Sequence, residues 1–127
     1  MRVSGFKSIN SLIPYSASDV PKGKTSHGYV YGIADKLNPK IVKLGHTRNL
    51  KLRLRSLNSQ TACAGTLVYA FYFECDSAHS HEQCLFRAFA DFRVKPKKEW
   101  FHIPFMDACD WVSRYFGRVP DYKLKLR

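Results

Sequence analysis

Four residues of types that could perform chemistry on phosphate occur in order along the chain: Tyr31, Lys43, Arg53 and Glu82. A tyrosine can exchange a proton, two cations can stabilise negative charge on a phosphate, and a carboxylate can hold a divalent metal ion. Hydrolysis of a phosphodiester bond uses these three kinds of group together. The set therefore predicts a small metal-dependent nuclease.

The group that takes the proton from the attacking water has two candidates. The ordinary pKa of a tyrosine phenol is about 10, so Tyr31 would need a neighbouring cation to lower it, and Lys43 on the paired strand could supply that charge. His46, next to Gly45, could instead act as the base or as a donor to phosphate. The sequence leaves this choice open.

Glu82 is the strongest candidate for a metal ligand on physical grounds. It falls on the apolar stripe of its predicted helix, together with Leu85, Phe86 and Phe89, where an uncompensated carboxylate would be costly. A bound Mg²⁺ or Mn²⁺ would compensate it. A salt bridge to Arg53 is the purely structural alternative.

Other polar residues near these positions have weaker interpretations. Cys75, His79, His81 and Cys84 are of types that bind zinc, but their spacing matches no common zinc module, so a zinc site is not expected. Glu99 is interpreted as either a second acid near the site or a cap.

The net charge indicates the class of partner. The chain has 21 Lys and Arg against 10 Asp and Glu, a formal net charge of +11, and an isoelectric point near 9.7. Such a field attracts polyanions, so DNA is the expected partner and RNA is not excluded.

Aromatic residues in the regular segments, Tyr72 among them, are interpreted as core and not as platforms for stacked bases. The side chains expected to contact nucleic acid are Tyr29, Arg48, Lys51, Arg55 and Lys98, with the alternating basic end of the chain.

The lengths of the apolar runs and the pattern of the cysteines favour an intracellular, cytoplasmic protein. No run approaches the roughly 18 apolar residues of a membrane span, and no secretory signal is recognisable. The four cysteines include no Cys-x-x-Cys pair, so reduced thiols are expected at Cys63, Cys75, Cys84 and Cys109.

The hydrophobic pattern predicts one α+β domain with a mixed or antiparallel three-stranded sheet flanked by helices. Residues 1–27 are predicted to be a leader, 28–117 the domain, and 118–127 a basic tail. The predicted elements are a hairpin of strands at 28–34 and 41–46, a helix capped by Asn49, a strand at 66–74, a helix at 77–92, a short apolar segment at 99–103, and a last helix from Pro104 to Gly117.

Within 29–102 the chain resembles the GIY-YIG endonuclease superfamily, especially its phage-type branch. Tyr31 matches the tyrosine of the first motif, and Lys43-Leu44-Gly45 matches the second with lysine in place of tyrosine. Arg53, Glu82 and Glu99-Trp100-Phe101 match the later motifs. The resemblance implies hydrolysis by water with one Mg²⁺ or Mn²⁺ ion at Glu82, by a monomer or a dimer induced by DNA.

Two rival functions fit the same residues. One is a basic nucleic-acid-binding module that cleaves nothing, and the other is an adaptor whose nuclease-like surface binds a protein. The joint presence of Tyr31, Arg53 and Glu82 favours the enzyme.

Overall fold

The structure is a computed structural model, and it describes residues 16–17, 27–60, 66–94 and 99–125. The predicted leader, apart from residues 16–17 and 27, lies outside the described residues, as does Lys98. The elements are β1 (Gly28–Asp35), β2 (Asn38–Thr47), α1 (Leu50–Gln60), β3 (Leu67–Cys75), α2 (Ala78–Ala88), a 3₁₀ turn (Ala90–Phe92), β4 (Trp100–Phe101), α3 (Phe105–Phe116) and β5 (Tyr122–Lys123).

The strands form one antiparallel sheet in the order β4-β2-β1-β3-β5. The α+β class and the β1–β2 hairpin are confirmed. The predicted count of three strands is wrong, because β4 and β5 extend the sheet at its two edges. Each edge strand has only two residues, which is too short to carry a period of two in the sequence. Their pairing depends on the free edges of β2 and β3.

The two faces of the sheet are covered by different helices. Along β1, Val30 points into a core shared with α2 and α3, whereas Tyr31 and Ile33 point into a smaller core closed by Leu57 of α1. This division follows from the alternation of side chains along a strand. Neighbouring residues of β1 therefore face different helices, α1 on one side of the sheet and α2 with α3 on the other.

Local sequence signals fix the start of α1 and the end of α3. The Asn49 side chain accepts a hydrogen bond from the Leu52 amide at 3.0 Å, which confirms the predicted N-cap of α1. Gly117 ends α3 with a φ of 71°, in the left-handed region that glycine adopts without strain. None of the helices in the described part of the chain is long and apolar enough to cross a membrane.

Candidate functional site

Tyr31 and Arg53 form the centre of the α1 face. The Tyr31 side chain is fully buried, and its hydroxyl oxygen accepts a hydrogen bond from Arg53 Nε at 3.1 Å. Burial raises the pKa of Tyr31 above its ordinary value; the Arg53 hydrogen bond and charge oppose that rise. The phenol is therefore protonated at neutral pH.

Lys43 does not lower the pKa of Tyr31, so that expectation is wrong. Lys43 is only 7% exposed, and its ammonium is paired with the carboxylate of Glu99, the residue before β4. Its charge is thus balanced by a neighbour. The Glu99 carboxylate itself contributes to raising the pKa of Tyr31.

Gly45 makes room for the tyrosine ring. Gly45 is the cross-strand partner of Tyr31, and a β-carbon built at Gly45 would lie 2.4 Å from the Tyr31 hydroxyl oxygen and 2.5 Å from the ring carbon that bears it. Real β-carbons do not approach other atoms so closely. The glycine of the Lys-Leu-Gly motif is therefore required by the position of the Tyr31 ring.

We expect Gly45→Ala to destabilise the fold by about 1–3 kcal/mol, the usual cost of overpacking a core. Urea denaturation followed by circular dichroism measures this change. In a Tyr31→Leu background the same substitution should cost less, because the clashing ring is gone. An equal cost in both backgrounds would contradict the role given to Gly45.

A second cluster, His46–His79–Glu82, lies on the other face. Glu82 of α2 is 8% exposed; its Oε2 lies 3.1 Å from His46 Nδ1 and its Oε1 lies 3.6 Å from His79 Nδ1. The two imidazole rings lie edge to face with their centroids 5.0 Å apart. The His46 Nδ1 atom is buried and, despite the short distance, is not aligned for a hydrogen bond. Both imidazoles thus face one carboxylate.

Neither the Arg53–Glu82 salt bridge nor a cysteine-histidine ligand set forms among the described residues. Arg53 pairs with Tyr31, so the salt bridge from Arg53 to Glu82 is not formed. His81 points into the core, where its Nδ1 lies 2.7 Å from the Tyr115 hydroxyl, and burial lowers its pKa. Cys75, His79, His81 and Cys84 are therefore not brought together as one ligand set.

The His46–His79–Glu82 cluster fits a divalent cation. Its three ligand atoms all lie within 4.8 Å of one another, and no other such group of three occurs among the described residues. Two imidazoles and one carboxylate suit transition metals such as Mn²⁺ or Zn²⁺ better than Mg²⁺, which prefers oxygen ligands. Sequence reasoning missed His79 as a partner of Glu82, although their i,i+3 spacing places them on one helix face.

The two clusters approach the same pair of strands from opposite faces. Tyr31 is paired with Gly45, whereas the adjacent Val30 is paired with His46, so the side chains of Tyr31 and His46 point to different sides. The Glu82 carboxylate still contributes to raising the pKa of Tyr31. The clusters therefore interact electrostatically across the end of the β1–β2 pair.

The residues predicted to contact nucleic acid lie around these clusters. Lys51 and Arg55 are exposed on α1, and half-buried Tyr29 places its ring edge against Tyr72. Arg48 is exposed and, with His46, borders a cavity of about 270 Å³ at the end of β2. These side chains surround the site without forming part of either cluster.

The fold and the two clusters define a small basic α+β domain with cationic and potential metal-binding side chains at one end of a hairpin. The T5orf172 domain model matches residues 28–116, and the chain belongs to that family. The T5orf172 domain is a nuclease-associated, DNA-binding type of domain, which is compatible with a function related to nucleic acid. No curated protein and no solved structure matches the chain.

The assignment to the GIY-YIG superfamily is wrong, because the matching family is a different one. The motifs behind that assignment are short, and packing alone accounts for part of them. Gly45 is needed to seat the Tyr31 ring, and Tyr31 itself fills a core. Such residues do not distinguish one family from another.

Proposed function

We propose that the chain is a metal-dependent endonuclease that hydrolyses DNA phosphodiester bonds. The observation that supports this best is that the His46–His79–Glu82 cluster and the Tyr31–Arg53 pair lie at the same end of the β1–β2 pair, on its opposite faces, in a basic domain of a nuclease-associated family. One group of side chains is suited to a cation and the other to a phosphate anion. A domain that only bound nucleic acid would need neither group.

Arg53 is the group that stabilises negative charge on the phosphate. Its Nε is fixed on the Tyr31 hydroxyl, and its two terminal nitrogens can be presented to phosphate oxygens in a fixed orientation. A cation held in advance where charge develops lowers the barrier more than a mobile one. Lys43, balanced by Glu99, adds a weaker positive potential at the same end of β2.

Tyr31 acts by holding Arg53 in place and not as the base. Its side chain is fully buried, and its hydroxyl oxygen accepts the hydrogen bond from Arg53 Nε. The raised pKa keeps the phenol protonated at neutral pH. Tyr31 is thus a positioning residue for Arg53.

His46, His79 and Glu82 would hold the divalent cation, with Mn²⁺ as the better match to the donors and Mg²⁺ as the alternative. A cation bound there would neutralise phosphate charge and make water a stronger nucleophile. The role of His46 is then that of a ligand. If His46 is not a ligand, its side chain, which is 37% exposed, is a better candidate for the base than Tyr31, whose pKa is raised.

We expect Tyr31→Phe to lower the single-turnover cleavage rate by about 10- to 100-fold, the scale of a lost hydrogen bond to a charged group. The pH profile between about 6 and 9 should keep its shape, because a phenol with a raised pKa does not ionise there. If the rate of this variant no longer rose with pH, Tyr31 would be the base. An unchanged rate would remove it from the site.

Nicking of supercoiled plasmid by the purified protein tests the proposal. Cleavage should require Mn²⁺ or Mg²⁺, stop with a chelator, and yield ends with 5′-phosphate and 3′-hydroxyl groups. Tight DNA binding with no cleavage under any divalent ion would instead support the non-cleaving binding module.

A further inference from the structure

A groove of about 450 Å³ lies between α1 and β3. Its floor is apolar and aromatic, formed by Leu50 and Leu54 of α1 and by Tyr69 and Tyr72 of β3. This volume is in the range of sites that accept small ligands. The groove is separate from the cation cluster, which lies against the other face of the sheet.

A β-bulge in β3 creates the aromatic floor. In the pairing of β1 with β3, Gly32 is opposite Phe71 and Ile33 is opposite Tyr69, so Ala70 is skipped. Ala70 and Phe71 both point into the core under α2 and α3. Consequently Tyr69 and Tyr72, three residues apart, both point to the α1 face, which regular alternation would prevent.

The tyrosines make a continuous band from the groove to Arg53. The Tyr69 ring lies edge to face with Tyr31 at 5.4 Å and with Tyr72 at 5.8 Å, between ring centroids. Tyr72 is stacked on Tyr122 of β5 at 5.4 Å. The Tyr69 hydroxyl donates to the Leu50 carbonyl at 2.7 Å, which fixes its ring against α1. A ligand in the groove therefore lies next to the Tyr31–Arg53 pair.

The rim of the groove is positively charged. Lys51 and Arg55 border it and are both exposed, on a chain with a net charge of +11. A flat apolar floor with a cationic rim is complementary to an aromatic heterocycle linked to phosphates. Stacking on aromatic side chains is available to every nucleobase, but only when the base has left the helical stack.

We propose that this groove receives one unpaired nucleobase of a DNA strand, with the flanking phosphates on Lys51 and Arg55 and the next phosphate at Arg53. The proposal rests on the proposed function for its substrate and refines it. The preferred substrate is DNA that contains an unpaired nucleotide, in a single strand, a bulge or a flap. An intact duplex cannot place a base on Tyr69 and Tyr72.

Binding measured in chelator, with the full chain, tests this inference without cleavage. Fluorescence anisotropy should show tighter binding of a labelled oligothymidylate than of a fully paired hairpin with the same number of phosphates. Tyr72→Ala should weaken binding of the single strand by about 5-fold or more, the scale of one stacked base, and change binding of the hairpin less than about twofold. Tyr72→Phe, which keeps the ring, should bind both as the parent does.

A second readout uses the unchanged protein. A 2-aminopurine placed in a one-nucleotide bulge should change its emission on binding, whereas the same base in a paired position should not. Equal affinity for single strand and hairpin, or an equal loss of both in Tyr72→Ala, would overturn the proposal. Because no cleavage is required, a protein that never cuts DNA could still pass this test, and a nuclease could fail it.

Discussion

Glu82→Gln is expected to bind Mn²⁺ at least about 100-fold more weakly than the parent protein while keeping the fold. The substitution removes the negative charge that His46 and His79 both face, and it keeps nearly the same side-chain shape. A ligand set of two neutral imidazoles alone holds a divalent cation poorly, because the anionic donor supplies most of the charge neutralisation. Titration calorimetry measures the affinity, and circular dichroism with thermal melting measures the fold.

Glu74→Gln is the matched control for that substitution. Glu74 is also a carboxylate beside a histidine, with its Oε2 2.6 Å from His27 Nε2, but it lies outside the cluster and is exposed. Its loss should leave Mn²⁺ affinity unchanged. His46→Ala should weaken Mn²⁺ binding as well; intact binding with slow cleavage would make His46 the base and not a ligand. Equal Mn²⁺ affinity in Glu82→Gln would remove Glu82 from the site.

Arg53→Ala is expected to lower the single-turnover cleavage rate at saturating DNA by about 10²- to 10³-fold. This is the usual cost of losing one preorganised donor to a developing negative charge. The affinity for DNA should change little, because many other cations contribute to it on a chain with net charge +11. Quenched-flow cleavage and anisotropy, measured on the same protein, separate the two effects.

Lys51→Ala and Arg55→Ala are the controls for Arg53→Ala, since both residues are on the same helix but are exposed. Each should weaken DNA binding modestly and lower the slope of log K against log salt by about one. Cleavage at saturating DNA should survive. If Lys51→Ala abolished turnover with affinity intact, the division between binding and catalytic cations would be wrong.

Much of the framework could be predicted because it depends on local sequence. The β1–β2 hairpin follows from two apolar runs separated by a turn, and the start of α1 follows from Asn49, whose side chain caps the helix as expected. The location of Glu82 on the buried side of α2 follows from the spacing of the apolar residues. Such patterns need only a few neighbouring residues.

Other features depend on contacts that the sequence does not display. The bulge at Ala70 places Tyr69 and Tyr72 on one face, so Tyr72 borders a groove, although its place in a regular strand had favoured a core position. The ion pair of Lys43 with Glu99 joins residues that are far apart in the chain. Because Glu99 balances the charge of Lys43, burial is the main influence on the pKa of Tyr31 and raises it. These outcomes are decided by tertiary packing.

Single-turnover cleavage of supercoiled plasmid by the parent protein and by Glu82→Gln, at equal DNA occupancy, tests the central claim most directly. The account predicts that the parent nicks the plasmid only with a divalent cation, and that Glu82→Gln is slower by about 10³-fold or more, since a bound cation contributes several kcal/mol to the transition state. Cleavage by Glu82→Gln at the parent rate, or cleavage by the parent in chelator, would contradict it.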